Sequence, residues 1–245
     1  GGEVFEKAGV NTSVVFGKLS PKMKERFKSK SDKFFATGIS LVIHPRSPKV
    51  PSFHANFRYF EQEDRVWFGG GADLTPYVPR EEDCKHFHSC FKKACDGYHK
   101  EAYKKFKKEC DEYFYLPHRQ EYRGIGGIFF DYITEEPDQT FEFVKEAGGA
   151  FLEAYIPIIR NNKDSPFTER EKKFQLLRRG RYVEFNLIYD RGTLFGLETK
   201  GNAESILMSL PPVVHFEYEP DLESTEDEKK LMSWLRQPVD WLKTL

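Results

Sequence analysis

No apolar run in this chain of 245 residues approaches the roughly 18 to 20 residues that a membrane-crossing helix needs. Near the start, Glu3, Glu6 and Lys7 are too many charges for a signal-peptide core. Neither sign of charge prevails. The 38 Lys and Arg residues stand against 39 Asp and Glu, a formal net charge of -1, so nothing pulls the whole molecule toward nucleic acid or an anionic bilayer, and any anion site must be local. Cysteine is scarce too: Cys84, Cys90, Cys95 and Cys110 form no CxxC pair, which removes the usual signature of zinc or thiol exchange and leaves reduced packing residues. The sequence also lacks an HExxH motif, a GxGxxG turn, a P-loop lysine, a nucleophile elbow and a Ser-His-Asp order. Without internal repeats or low-complexity tracts, it reads as one soluble unit over residues 1–245.

Aromatic residues are plentiful at 16%, with 23 phenylalanines, enough for a bulky core or a pocket for a large flat ligand. Short β-rich runs come first, at Val14–Phe16, Ile39–Ile43 and Phe53–Phe60, and Val66–Phe68 follows a charged break at 61–65 as the return strand of a hairpin. Helical spacing then runs from Glu81 to about Tyr115, bracketed by Pro79 and Pro117 and interrupted near Gly97. Gly124–Asp131 leads into another strand, Gln139–Ile159 and Glu169–Arg179 read as helices, and Tyr182–Tyr189 alternates like a strand. Ser205–Leu210 and Val213–Tyr218 are further candidate strands, split by Pro211-Pro212, and Glu226–Leu235 closes the chain as a helix. Strands and helices come in groups, without βαβ alternation. The expected class is α+β, a large and mainly antiparallel sheet flanked by helices on both sides.

Period-two geometry on Phe53–Phe60 places His54, Asn56 and Arg58 on one face, opposite Phe53, Phe57 and Tyr59. An imidazole, a carboxamide and a guanidinium in a row can exchange a proton and hold carboxylates, although spacing alone also fits a solvated sheet face. Gly69-Gly70-Gly71 before Ala72-Asp73 allows a close backbone approach, with Asp73 held at a turn. Arg178-Arg179-Gly180-Arg181 and Arg191 make a locally basic region that could bind acidic groups or pair with Glu184, Asp190 and Glu204. His44, His54, His88 and His118 are suggestive as a set, yet their spacing is irregular for a metal site.

Seven ordered blocks resemble the oxygen-dependent coproporphyrinogen III oxidases: Phe5–Val10, Gly38–Pro45, His54–Phe60, the glycine run to Asp73, Arg123–Asp131, Arg178–Leu187 and Glu204–Pro212. The resemblance implies a large antiparallel sheet between helices, a homodimer, and a family N-terminal region that would precede Phe5. It implies a reaction in which molecular oxygen, the co-substrate, converts two propionates of coproporphyrinogen III to vinyl groups in haem biosynthesis, with no organic cofactor. By motif it implies His54 as proton donor, Asp73 facing the pyrrole N–H groups, and Arg58 serving both substrate and chemistry. Substrate contacts are expected from Ser40, Asn56, Phe57 and Arg58, and from Gly201 and Asn202 in a loop. There Lys200-Gly201-Asn202-Ala203 stands where relatives commonly have an arginine. Some relatives are described with a divalent metal on histidines matching His44, His54, His88 and His118. The resemblance also implies a cytoplasmic enzyme, with mitochondria as the alternative; the apolar segments Ile206–Met208 and Trp234–Leu242 fit a dimer interface, and core packing explains them as well.

Overall fold

The computed structural model describes residues 1–19, 21–26, 32–63 and 65–243. Strands β1 (Phe5–Lys18), β2 (Lys33–Pro45), β3 (Ser52–Gln62) and β4 (Arg65–Thr75) form a meander, with the short helix α1 (Pro21–Arg26) between the first two. Asp64, between β3 and β4 in the sequence, lies outside the described residues. Helices α2 (Glu81–Tyr98) and α3 (Ala102–Tyr113) follow, broken just past Gly97 as predicted. The small strands β5 (Tyr115–Leu116) and β6 (Glu121–Tyr122) then pair, and β7 (Gly127–Ile133) returns to the main sheet. Its five antiparallel strands run in the order β1-β2-β3-β4-β7.

One face of this sheet is apolar because strand alternation puts Ile43, Phe53, Ala55, Phe57, Ala72, Leu74, Ile128 and Phe130 on it, all buried. Against it packs α2 through Phe87 and Phe91, together with α4 (Pro137–Asn162), whose small residues Ala147, Ala150 and Ala154 let the helix approach the strands. Pro157 inside α4 has no N–H, which leaves the Glu153 carbonyl without its helical donor; His86 Nε2 donates to that oxygen at 2.9 Å.

The other face is covered by α5 (Glu169–Ile188) and the segment after it: α6 (Arg191–Glu198), α7 (Ala203–Ile206) and a 3-10 turn at Leu207–Ser209. Helix α8 (Glu226–Arg236) closes the chain. The expected strand at Tyr182–Tyr189 is instead the second half of α5, which begins at a capping box between Thr168 and Glu171. Its buried residues Phe174, Arg178, Tyr182 and Phe185 recur at helical spacing. Arg178 and Arg179 belong to that inward stripe, paired with Glu121 and Glu6, so a polarity-based reading loses the period. The proposed strand Ser205–Leu210 is likewise helical, and Val213–Tyr218 forms no strand. His215 N–H donates to the Leu176 carbonyl, so this segment lies along α5 rather than beside another strand.

Candidate active site

Cross-strand register assembles the polar face in rows. Ser40 on β2 lies opposite Asn56 on β3 and Gly71 on β4; the next row is Val42, His54, Asp73 and Gly127; the row on the other side is Gly38, Arg58 and Gly69. Ser40, His54, Asn56 and Arg58 therefore share one surface, as the alternation predicts. Phe57 does not: its ring is turned into the core beside Phe130, so only its backbone belongs to this neighbourhood. The triple glycine is not a turn but the middle of β4. At Gly71 an added Cβ would lie 2.3 Å from the Ile128 carbonyl of β7, and at Gly69 it would lie 2.8 Å from Arg58 Nη2 and 2.6 Å from an Asp131 oxygen. The first glycine permits strand contact; the second leaves room for an ion pair. Gly69→Ala should fold yet push the flexible Arg58 end aside, raising KM for an anionic substrate several-fold in steady-state assays.

His54 and Asp73 are directly opposed on neighbouring strands, and His54 Nδ1 lies 2.8 Å from Asp73 Oδ1. Behind them Arg123, in the loop between β6 and β7, donates from Nη2 to both Asp73 oxygens at 2.8 Å and from Nη1 to Asn186 Oδ1 at 2.6 Å. The guanidinium sits among Phe114, Tyr182 and Phe185, its carbon 4.1, 4.3 and 4.8 Å from their ring centroids. Burial alone would raise the Asp73 carboxyl, but the Arg123 charge and the His54 contact outweigh it and hold the pKa below the usual value. An ionised carboxylate can only accept, so His54 carries its proton on Nδ1 and presents Nε2 as the exchanging nitrogen. The side chain of Asp73 is 2% exposed and that of His54 19%, which places the imidazole at the surface and the carboxylate behind it.

Further along β3, Arg58 Nη1 donates to Asn56 Oδ1 at 3.2 Å, and Nη2 lies 2.7 Å from Asp131 Oδ2 on β7. Arg191, at the start of α6, approaches the same oxygen at 3.6 Å and stacks over Tyr113. Two guanidiniums thus converge on one carboxylate at this end of the polar face. Such a cluster suits a single carboxylate guest.

The four histidines are not brought together. His44 Nε2 donates to the Ser209 carbonyl at 2.8 Å, and its Nδ1 accepts from Ser52 Oγ at 3.1 Å. His88 is buried in α2 on the opposite side of the sheet, bonded to Tyr103 and Ile125. His118 sits between β5 and β6, with Tyr189 and Glu184 each at 2.8 Å. Among the described residues no three His, Cys, Asp or Glu side chains are grouped to hold an ion. Three of the four rings have both nitrogens engaged by the chain, so this set does not fit a shared metal. Chelation followed by dialysis should leave turnover within twofold, with metal content measured alongside.

Gly201 and Asn202 lie beyond α6: Gly201 N–H donates to the Gly196 carbonyl, and the Asn202 side chain caps α7 by accepting from Ser205 N–H. The basic run of α5 is taken up internally: Arg178 and Arg181 meet Glu121, Arg179 meets Glu6, and Arg181 also meets Glu184 at 3.0 Å.

The sequence matches the model of a family described as coproporphyrinogen III oxidase over residues 1–241. A protein of Rickettsia conorii named oxygen-dependent coproporphyrinogen-III oxidase is 55% identical over 218 residues, covering 88% of this chain and 78% of its own length. One of the same name from Coxiella burnetii is 55% identical over 235 residues, 92% of this chain and 76% of that protein. The chain belongs to the coproporphyrinogen III oxidase family. Within this family member, Arg123, Asn186 and Asp131 join the site, although the residue patterns give them no role, and Arg191 joins it through Asp131 rather than through the basic run of α5. Arg123 stands in one of the seven blocks, but nothing in its spacing ties it to an aspartate 50 residues away.

Proposed function

We propose that the protein catalyses the oxygen-dependent oxidative decarboxylation of two propionates of coproporphyrinogen III to vinyl groups, giving protoporphyrinogen IX in haem biosynthesis. Family membership supports the reaction, and the observation that carries it to these residues is the polar sheet face that bears Ser40, Asn56 and Arg58 beside the His54–Asp73–Arg123 relay. Each propionate loses carbon dioxide and one β-hydrogen. Its two electrons pass to dioxygen, which takes up two protons to become hydrogen peroxide. The chain's part is to bind, orient and move a proton. Arg58, backed by Asn56, holds a propionate by charge-assisted hydrogen bonds. His54 Nε2 exchanges the proton, and Asp73, fixed by Arg123, sets the imidazole tautomer and favours positive charge developing above it. Gly201 and Asn202 complete the carboxylate contacts from the α6–α7 loop.

The test is to incubate the protein with coproporphyrinogen III in air and under nitrogen, following porphyrin fluorescence after oxidising the product. Oxygen-dependent protoporphyrin is expected; equal traces in the two atmospheres would sink the assignment. Arg58→Ala should raise KM about 10- to 100-fold, the equivalent of a lost charge-assisted bond of about 1.5–3 kcal/mol.

The same reading includes a homodimer. Leu235 and Trp241 are buried within the protomer, so for Trp234–Leu242 core packing is the better supported of the two readings. Better support comes from edge strand β1, which among the described strands pairs with β2 alone and exposes Val10 (69%), Val14 (63%) and Phe16 (76%) on one face. Val14→Lys combined with Phe16→Glu should convert a dimer to a monomer in light scattering. The bacterial relatives support a cytoplasmic rather than a mitochondrial setting.

A further inference from the structure

The loop that carries Arg123 is tied to the sheet at one residue. Leu74, the neighbour of Asp73, accepts from Ile125 N–H at 2.9 Å and donates to the Gly126 carbonyl at 3.1 Å. Arg123 N–H donates to the Phe114 carbonyl at 3.0 Å, closing the loop on its other side. The Ile125 carbonyl points away from the sheet and accepts two side-chain bonds from distant parts of the chain. His88 Nε2 lies at 3.1 Å and Trp241 Nε1, in the segment after α8, at 3.3 Å.

Both donors are fixed. A carbonyl only accepts, so His88 carries its proton on Nε2, and Nδ1 accepts from the Tyr103 hydroxyl at 2.9 Å. The indole of Trp241 lies over the imidazole at 20° between planes, and Trp234 packs edge-on against Trp241 at 4.9 Å. His88 is 0% exposed, Trp241 3% and Ile125 4%, so neither bond can be exchanged for water. Nothing in the proposed chemistry uses His88 or Trp241; neither touches the polar face.

We propose that Trp241 and His88 are positioning residues: together they clamp the Ile125 carbonyl, set the 123–126 loop against Leu74, and so hold the Arg123 guanidinium on Asp73. The C-terminal segment thereby sets the geometry of a relay on the opposite side of the sheet. A displacement of the guanidinium would leave the propionate contacts at Arg58 and Asn56 intact while loosening the group that orients His54. The expected signature is a loss in kcat without a loss in KM.

The kinetic arm rests on the proposed reaction; an exchange arm does not. Trp241→Phe keeps an apolar ring and removes the N–H. His88→Gln keeps a donor where Nε2 stood, whereas His88→Asn reaches only the Nδ1 position. In hydrogen exchange on the substrate-free protein, the amides of Ile125 and Leu74 should exchange about tenfold faster in Trp241→Phe and His88→Asn, with β1 to β3 unchanged. His88→Gln should stay close to the parent. On coproporphyrinogen III the same two variants should lose about tenfold in kcat with KM within twofold, and His88→Gln should recover most of it. Inactivity of the parent chain would refute the reaction and leave the exchange result to decide the clamp. Unchanged exchange at Ile125 and Leu74 would overturn the clamp, as would kcat falling only in proportion to the folded fraction. If those two variants do not fold, His88→Gln measured against the parent decides the matter: a tenfold faster Ile125 amide there also overturns the clamp, and parent-like exchange upholds it.

Discussion

Replacing Asp73 with alanine is expected to abolish turnover and to cost about 3–5 kcal/mol of folding stability, because it strips the carboxylate partner from an arginine with 1% side-chain exposure. The family resemblance taken by itself suggests a variant that is dead but intact, and the buried pair adds the loss of stability. Arg123 would keep a neutral acceptor, the Asn186 oxygen, for a full charge enclosed by Phe114, Tyr182 and Phe185. Asp73→Asn separates the two effects. Its carboxamide fills the same space and can still accept from Arg123, so urea unfolding should show a smaller loss, while kcat falls by about a thousandfold or more because the neutral group no longer fixes the Nδ1–H tautomer of His54 or brings a negative charge to the site. A third variant completes the argument: Asp73→Leu with Arg123→Met removes both charges, and its unfolding midpoint should recover toward the parent while activity stays absent. If Asp73→Asn keeps kcat within tenfold of the parent, the carboxylate is structural and His54 works without it.

The polar face of β3 was legible because strand alternation is a local rule: once Phe53, Ala55 and Phe57 take the core, His54, Asn56 and Arg58 must share the other side. The hairpin to β4 and the break between α2 and α3 were legible for the same reason, since charge clusters and glycine mark them within a few residues. What stayed hidden depends on pairs far apart in the chain. Arg178 and Arg179 look like surface residues until Glu121 and Glu6 are brought to them, and their burial disguises α5 as a strand at Tyr182–Tyr189. The histidines show the opposite error: four imidazoles invite a metal reading, but most of their nitrogens serve backbone carbonyls, hydroxyls and carboxylates of separate elements. Asp131 remained unread, and Arg191 was read as basic without its partner, because their relation to Arg58 exists only once β7 and α6 come together.

Two of those histidines set a strong acid sensitivity. Burial pushes the pKa of His44 and of His88 down from 6.5 to about 3. A base with a depressed folded-state pKa binds its proton in the unfolded chain first, so its neutral form favours the fold fully above about pH 6.5, and that contribution drains away as the pH falls toward 3. Between pH 7 and pH 5 each ring should lose about 2 kcal/mol, and the two together about 4 kcal/mol, a large part of a typical folding free energy. Asp73, with a lowered carboxyl pKa, contributes little to this window because its linkage acts below about pH 4. Asp83, Glu109 and Asp111, raised by burial, work in the opposite direction. Urea unfolding at the two pH values, repeated on a His44→Gln, His88→Gln double variant, isolates the imidazoles: the pH sensitivity should fall by about 4 kcal/mol. The His44 share travels through Ser209 and Ser52, which join the covering segment to the polar face. Acid should therefore loosen that cover through His44 as well as α2 through His88, seen as loss of hydrogen-exchange protection at residues 205–210 that the His44→Gln change removes. Equal slopes in parent and double variant would show that the rings are protonated inside the fold and that the burial argument is wrong.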